Sequence, residues 1–161
     1  MLQELFFKQQ SVLPTCQETI QILRLIRSEN VGPKTFVNLI NIFGNAWKAL
    51  ENIEEFSLKG GRAKPIKLYS ESEAARELEL LAKNDAHILS YLSPKYSKLL
   101  LQIPDFPPII SYKGNINLLN ESKTIAIVGA RNASINGKLF AGKISQELAA
   151  KGYIIASGLA R

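Results

Sequence analysis

The reading of the fold turns on Thr124-Ile125-Ala126-Ile127-Val128-Gly129-Ala130-Arg131-Asn132. Thr124 to Val128 is a short apolar run rich in β-branched residues, the pattern of a strand buried on both faces. Gly129 to Asn132 reads as a tight turn. From about Ser134 to Lys151, Ile135, Leu139, Ile144 and Leu148 recur at helical spacing, which assigns them to the inner side of a helix. Gly152 ends that helix, and Tyr153 to Ala156 is a second buried-type strand leading into Ser157-Gly158. Strand, helix and strand at this spacing form a βαβ unit, so the strands are expected to be parallel with a right-handed crossover.

Ligands of open parallel sheets bind beyond the carboxyl ends of the strands. Val128-Gly129-Ala130-Arg131 falls at such an end, and Ser157-Gly158 falls at the end of the neighbouring strand. Backbone N–H groups and a helix N-terminus there can hold a phosphate, with the planar fork of Arg131 as a clamp. The plainer alternative is that Gly129 permits a tight turn and Arg131 pairs with a surface carboxylate. The next glycine after Gly129 is Gly137, so G-x-G-x-x-G is absent, as is G-x-x-x-x-G-K-[ST]. A dinucleotide or Walker-type ATP site is therefore not expected.

Working upstream, Ile109 to Tyr112 reads as a short strand with Lys113-Gly114-Asn115 as its turn, preceded by the proline-locked connector Ile103-Pro104-Asp105-Phe106-Pro107-Pro108. Ser93-Pro94 is expected to open a helix through Leu101, and His87 to Leu89 to form a short strand. His87 reads as a packed strand residue and not a catalyst. Ser70 to Asn84 is helical, with Ser72 as its cap and Ala75, Leu78, Leu81 and Ala82 as its buried stripe. Glu71, Glu73, Glu77 and Glu79 read as a solvated face.

Before this lies a helical module. Thr15 and Glu18 fit a capping box, and Ile20, Leu23, Ile26 and Arg27, broadened by Ile22 and Leu25, give helical spacing. Asn30-Val31-Gly32-Pro33 stops one helix and starts the next, since proline suits a first helical turn. Phe36, Val37, Leu39, Ile40 and Phe43 make the second apolar face. A third short helix covers Ala46 to Leu50 and a fourth runs to Phe56, with Trp47 and Phe43 in the core. Glu29-Asn30-Val31-Gly32-Pro33-Lys34 resembles a helix-hairpin-helix turn, with Asn30 where the usual pattern has glycine. Asparagine tolerates the left-handed conformation, and the surroundings favour a structural or partner-binding module over a DNA clamp. The division expected is a leader at 1–14, a helical domain at 15–84 with a basic glycine-rich linker near 59–67, and a parallel-sheet domain from 85 to 161.

Charge follows the same division. Residues 1–85 carry 11 Lys/Arg and 11 Asp/Glu, whereas residues 86–161 carry 9 and 3, so the whole net charge of +6 lies in the second half. That asymmetry points towards an acidic partner such as nucleic acid. Cys16 and His87 are each the only residue of their type, which leaves no intrachain disulfide and no Cys/His zinc set. No secretory signal is recognisable, and no run approaches the roughly 18 apolar residues of a membrane span. A cytoplasmic protein is expected.

Several motifs in order resemble one family, DNA-processing protein A (DprA/Smf). They are Ile103-Pro104-Asp105-Phe106-Pro107-Pro108-Ile109-Ile110, Tyr112-Lys113-Gly114, Leu118-Leu119, Ala126-Ile127-Val128-Gly129-Ala130-Arg131 and Ala156-Ser157-Gly158-Leu159-Ala160-Arg161. The Leu23-to-Asn45 segment is similar to that family's N-terminal helical domain. The resemblance implies an α/β chain: a small all-helical sterile-alpha-motif-like (SAM-like) domain, then the start of an extended Rossmann-like domain that is cut off at Arg161 before the family's Gly-Ile-Asp. It also implies a recombination mediator that binds incoming single-stranded DNA during transformation and competence and loads a RecA-type recombinase. The full-length family is expected to form a homodimer, to be no enzyme and to use no cofactor or metal. Gly129, Ala130, Arg131, Ser157 and Gly158 would contact DNA phosphate. The alternatives are a Rossmann-like enzyme acting on nucleoside monophosphates, whose P-G-G-x-G-T turn is absent here, and an inactive fragment of a split gene.

Overall fold

The computed structural model describes residues 16–61 and 63–158. The expected leader, the Thr15 half of the capping box and Leu159-Ala160-Arg161 lie outside these residues. The protein is mixed α/β and divides in space between Ile116 and Asn117 into two units. That division falls downstream of the change of pattern at Asn84/Asp85, because a pair of strands joins the helices of the first unit.

Helix α1, Cys16–Arg27, is the hub of the first unit. Gln21, Ile22, Leu23 and Leu25 are buried, so the interior face is centred on Ile22 and Leu25. Ile20 and Ile26 are half-buried and Arg27 is exposed. Helix α2, Pro33–Phe43, starts at Gly32 with Pro33 in its first turn and buries Phe36, Leu39 and Ile40. It stops at Gly44, whose φ of 88° is left-handed and whose N–H returns to the Ile40 carbonyl.

The third and fourth short helices expected from sequence are one helix, α3, Ala46–Lys59. Ala46, Ala49, Leu50, Ile53 and Ser57 keep a three-and-four spacing without interruption, and no glycine breaks the run before Gly60. Asn45 caps it by accepting from the Lys48 N–H at 2.9 Å. Trp47, expected in the core, is instead 51% exposed and its indole N–H donates to Glu51. Phe43 is half-buried against Phe56 in an edge-to-face contact of 5.6 Å.

Helix α4, Glu71–Lys83, is capped by Ser70 and not by Ser72. Ser70 has a glutamate three residues on, and the two make a reciprocal capping box: Glu73 N–H donates to Ser70 Oγ, and Ser70 N–H to the Glu73 carboxylate. Ser72 has only Ala75 at that spacing. The buried stripe is also displaced by one residue, to Ala74, with Leu78 and Leu81 half-buried and Ala75 and Ala82 exposed. Two of the supposedly solvated glutamates are engaged, Glu71 with Arg24 and Glu77 with Arg27, both at 3.0 Å.

Strands β1, His87–Ser90, and β2, Ile109–Tyr112, pair antiparallel with His87 opposite Tyr112 and Ser90 opposite Ile109. The helix expected over Ser93–Leu101 does not form; only the 3₁₀ turn Leu100–Gln102 does. Ser93 Oγ and Ser97 Oγ take the N–H groups of Lys95 and Leu100, a local bonding that competes with the helical ladder. Tyr96 is fully buried and its hydroxyl donates to the Pro107 carbonyl at 2.5 Å, pinning the two ends of this connection together. Burial pushes the Tyr96 phenol up to about 12, so it remains a donor at neutral pH. Tyr91 packs against both Phe36 of α2 and Phe106.

In the second unit, β3, Thr124–Ala126, and β4, Ile154–Ala156, are parallel, joined by α5, Ile135–Ala150. Both strands are shorter than expected, and Val128 is 88% exposed. Ala141, Ile144, Ser145 and Leu148 are the half-buried side of α5, while Ile135 and Leu139 are exposed. A two-stranded sheet is too narrow to cover the whole helix. No described residue from Asn117 onward is fully buried.

Two outcomes follow from this distribution. Tyr96→Phe is expected to lower stability by about 1 kcal/mol, the net worth of one hydrogen bond, and Tyr96→Ala by roughly 3–5 kcal/mol from the cavity as well; urea denaturation measures both. Limited proteolysis is expected to leave a resistant fragment ending near Ile116, with cleavage after Asn117 first. Equal hydrogen-exchange protection of both units would contradict that division.

Candidate phosphate-binding turns

The hydrogen bonding between β3 and β4 extends one residue beyond each end of β3. Ile127 N–H donates to the Ala156 carbonyl at 2.9 Å, and at the other end Ile154 N–H donates to the Lys123 carbonyl at 2.7 Å. The register sets Ala126 opposite Ala156, so the chain following Ile127 and the chain following Ala156 leave the strand pair at the same end. The structure thus brings Gly129, Ala130 and Arg131 to the same sheet end as Ser157 and Gly158, and all five are exposed. This is the carboxyl end of the pair, where parallel sheets receive ligands.

The reason for glycine at 129 is not internal. Gly129 does not have the left-handed φ that Gly44, Gly114 and Gly152 have. A Cβ built on it, or on Gly158, meets nothing within 4 Å. Neither turn geometry nor packing among the described residues requires a residue without a side chain. An open backbone is what a ligand approaching the N–H groups would require.

Helix α5 does not start directly on the turn. Ser134 is its cap and accepts from Gly137 N–H at 3.2 Å, so the chain from Val128 to Ala133 forms a longer loop than the tight turn expected from sequence. Arg131, Lys123, Lys138 and Lys151 make no ion pair with another described residue, whereas Lys143 lies 3.9 Å from Glu147. The surface-carboxylate role considered for Arg131 has no partner among the described residues. This unit carries Lys123, Arg131, Lys138, Lys143, Lys151 and Arg161 against Glu121 and Glu147.

The hairpin between α1 and α2 is built differently. Asn30 takes φ 59°, the left-handed place that glycine usually fills. Its neighbours are tied to their own chain: Glu29 N–H donates to the Lys67 carbonyl, and Lys67 N–H to the Glu29 carboxylate. Asn30 Nδ2 also donates to Glu29, which leaves a carboxylate beside the turn. His87 is exposed, and its ring lies 5.4 Å from that of Tyr112. The sequence gives no local sign of that pairing, because it depends on the register of β1 against β2. Among the described residues no group of His, Cys, Asp or Glu could hold a metal ion, and no helix is long and apolar enough to cross a membrane.

A helical hairpin module ahead of a parallel strand–helix–strand with two open turns at its carboxyl end defines a class of mixed α/β chain. Comparison with known proteins narrows the class. Residues 16–79 match the family model of a DprA-like N-terminal HHH domain, and residues 87–161 match that of DNA recombination-mediator protein A. The DNA processing protein DprA of Bacillus subtilis is 38% identical over 68 residues, 42% of this chain and 23% of that protein. Protein Smf of Synechocystis sp. is 30% identical over 145 residues, 82% of this chain and 35% of that protein. The chain belongs to the DprA/Smf family, and it spans about a third or less of the length of these relatives.

The account of Gly129 separates two kinds of glycine in this unit. Gly129→Ala is expected to change stability by no more than about 0.5 kcal/mol. Gly152→Ala, at φ 82°, is expected to destabilise by about 1–2 kcal/mol. Hydrogen exchange of α5 amides reads both, and equal losses for the two variants would mean that Gly129 serves the fold.

Proposed function

We propose that this chain handles single-stranded DNA as a recombination mediator, gripping the sugar–phosphate backbone at the Gly129-Ala130-Arg131 and Ser157-Gly158 turns. The observation that carries the reading is the pair of open turns at one sheet end, with a glycine that no described residue crowds and an arginine that has no carboxylate partner among the described residues. Family membership and the printed name of the Bacillus subtilis relative, a DNA processing protein, support DNA as the source of the phosphate. The excess of basic side chains supports it too. In this reading the βαβ unit is the beginning of a Rossmann-like domain and the helical module is SAM-like. The chain is cytoplasmic and performs no catalysis. A RecA-type recombinase and a second copy of the full-length protein are its macromolecular partners in transformation.

The hairpin at Asn30 has no part in the grip. Its backbone and carboxylate are committed to the 67–69 segment, and phosphate would meet Glu29 there.

Fluorescence anisotropy with a labelled oligothymidylate tests the proposal. Binding is expected to weaken steeply as salt rises, with a log–log slope of about −0.7 per phosphate neutralised, and duplex of equal length is expected to bind less tightly. Arg131→Ala is expected to lose about 1–3 kcal/mol of affinity, the scale of a charge-assisted contact, with an unchanged melting curve. Incubation with nucleoside monophosphates is expected to release no free base. Salt-independent binding, or full affinity in Arg131→Ala, would sink the assignment.

A further inference from the structure

We propose that the paired rings of His87 and Tyr112 are a stacking platform for the unpaired bases of single-stranded DNA, a contact separate from the phosphate turns. The inference rests on the DNA reading above for its ligand, and on the first unit for its geometry. His87 and Tyr112 are directly opposite in the antiparallel register, so their side chains share one face of the strand pair. Their ring centroids are 5.4 Å apart with planes tilted by 37°, so the two rings contact each other on that face. Leu89 and Ile110, the next pair on that face, anchor it: Leu89 is buried and Ile110 half-buried, whereas His87 is exposed and Tyr112 half-buried. The face is thus fixed at one end and open at the other.

The rings are not used by the core or by hydrogen bonding. The interior aromatic contacts of this unit run through Phe36, Tyr91 and Phe106, and the Tyr96 and Tyr69 hydroxyls have partners. Among the described residues neither the His87 imidazole nor the Tyr112 hydroxyl makes a hydrogen bond. Exposed Lys83 and Lys113 stand near the two rings in sequence, and Asp85 is the one acidic residue between Glu79 and Asp105. Exposed aromatic surface is the chemistry that holds single strands without sequence preference, because every base has a π-face.

His87 is the single histidine of the chain, so its ring resonances are unambiguous in a proton–nitrogen or proton–carbon NMR spectrum. The test titrates the full chain with an oligothymidylate and with an abasic strand carrying the same number of phosphates. The platform predicts upfield ring-current shifts of His87 with the first strand and none with the second. It predicts about five- to tenfold or greater preference for the strand with bases, lost in His87→Ala and retained in Tyr112→Phe. The histidine shift is read on the unaltered chain, so it decides the matter even if a variant fails to fold. Equal affinity for both strands, or no base-dependent shift at His87 while Arg131-dependent binding persists, overturns the platform and leaves the phosphate turns standing. Absence of binding to either strand overturns both.

Discussion

The first unit depends on how the carboxyl end of α1 is satisfied. A helix end leaves carbonyls without partners, and here that end is packed inside the unit. Ser28 is buried and its hydroxyl donates to the Arg24 carbonyl at 2.8 Å, while accepting from the Tyr69 N–H at 3.1 Å. Arg24 Nε donates to the Tyr69 carbonyl at 3.0 Å, and Glu29 and Lys67 exchange backbone and carboxylate bonds. Residues 67–69 thus act as a strand-like strap across the end of α1. Because Ser70 caps α4 immediately afterwards, the strap also sets where α4 begins. Arg24 and Arg27 then reach across to Glu71 and Glu77. These exposed ion pairs add little energy by themselves; their effect is to hold α4 in register with α1.

The second unit is governed by a different constraint, the requirement that parallel strands be joined by a long crossover. The crossover returns the chain to the same end of the sheet, so the residues leaving β3 and those leaving β4 emerge together. Two short segments far apart in sequence, after Val128 and after Ala156, emerge at one end of the sheet. What they share is open backbone with little side-chain shape, and Arg131 adds positive charge to the first of them. A site of that kind suits a ligand recognised by its repeating phosphates and not by the edges of its bases.

The two units therefore divide two kinds of stability. In the first, aromatic and aliphatic side chains are buried from several directions, and long connections such as Tyr91 to Pro108 are held by Tyr96 and its carbonyl partner. In the second, the half-buried side of α5 meets only a narrow sheet, and Ile135, Leu139 and Phe140 face solvent. Apolar residues on most sides of a helix are the mark of burial on more than one face. The sequence of α5 asks for more cover than two strands can supply.

Much of this was legible from local sequence. The helices at 16–27 and 33–43, the turn at Asn30-Val31-Gly32-Pro33, the parallel pair, and the placement of Gly129 and Ser157 at one sheet end follow from apolar period, proline and glycine, which act over a few residues. Family membership was legible too, because several spaced motifs occur in order. What local pattern could not decide was anything set by partners distant in sequence. Ser70 caps α4 in place of Ser72 through Glu73, three residues on. The loss of the helix at Ser93–Leu101 depended on Tyr96 reaching Pro107, and the exposure of Trp47 on where α3 lies against its neighbours. The buried stripe of α4 is centred on Ala74 because of where that helix packs against α1 and β1. Sequence by itself determined most of the helices and strands, the exception being Ser93–Leu101, and which turns carry glycine and arginine, since those are largely properties of short stretches. Only the tertiary structure decided which face of each helix is interior, that no described residue crowds Gly129, and that His87 meets Tyr112, because each depends on atoms brought together across the chain.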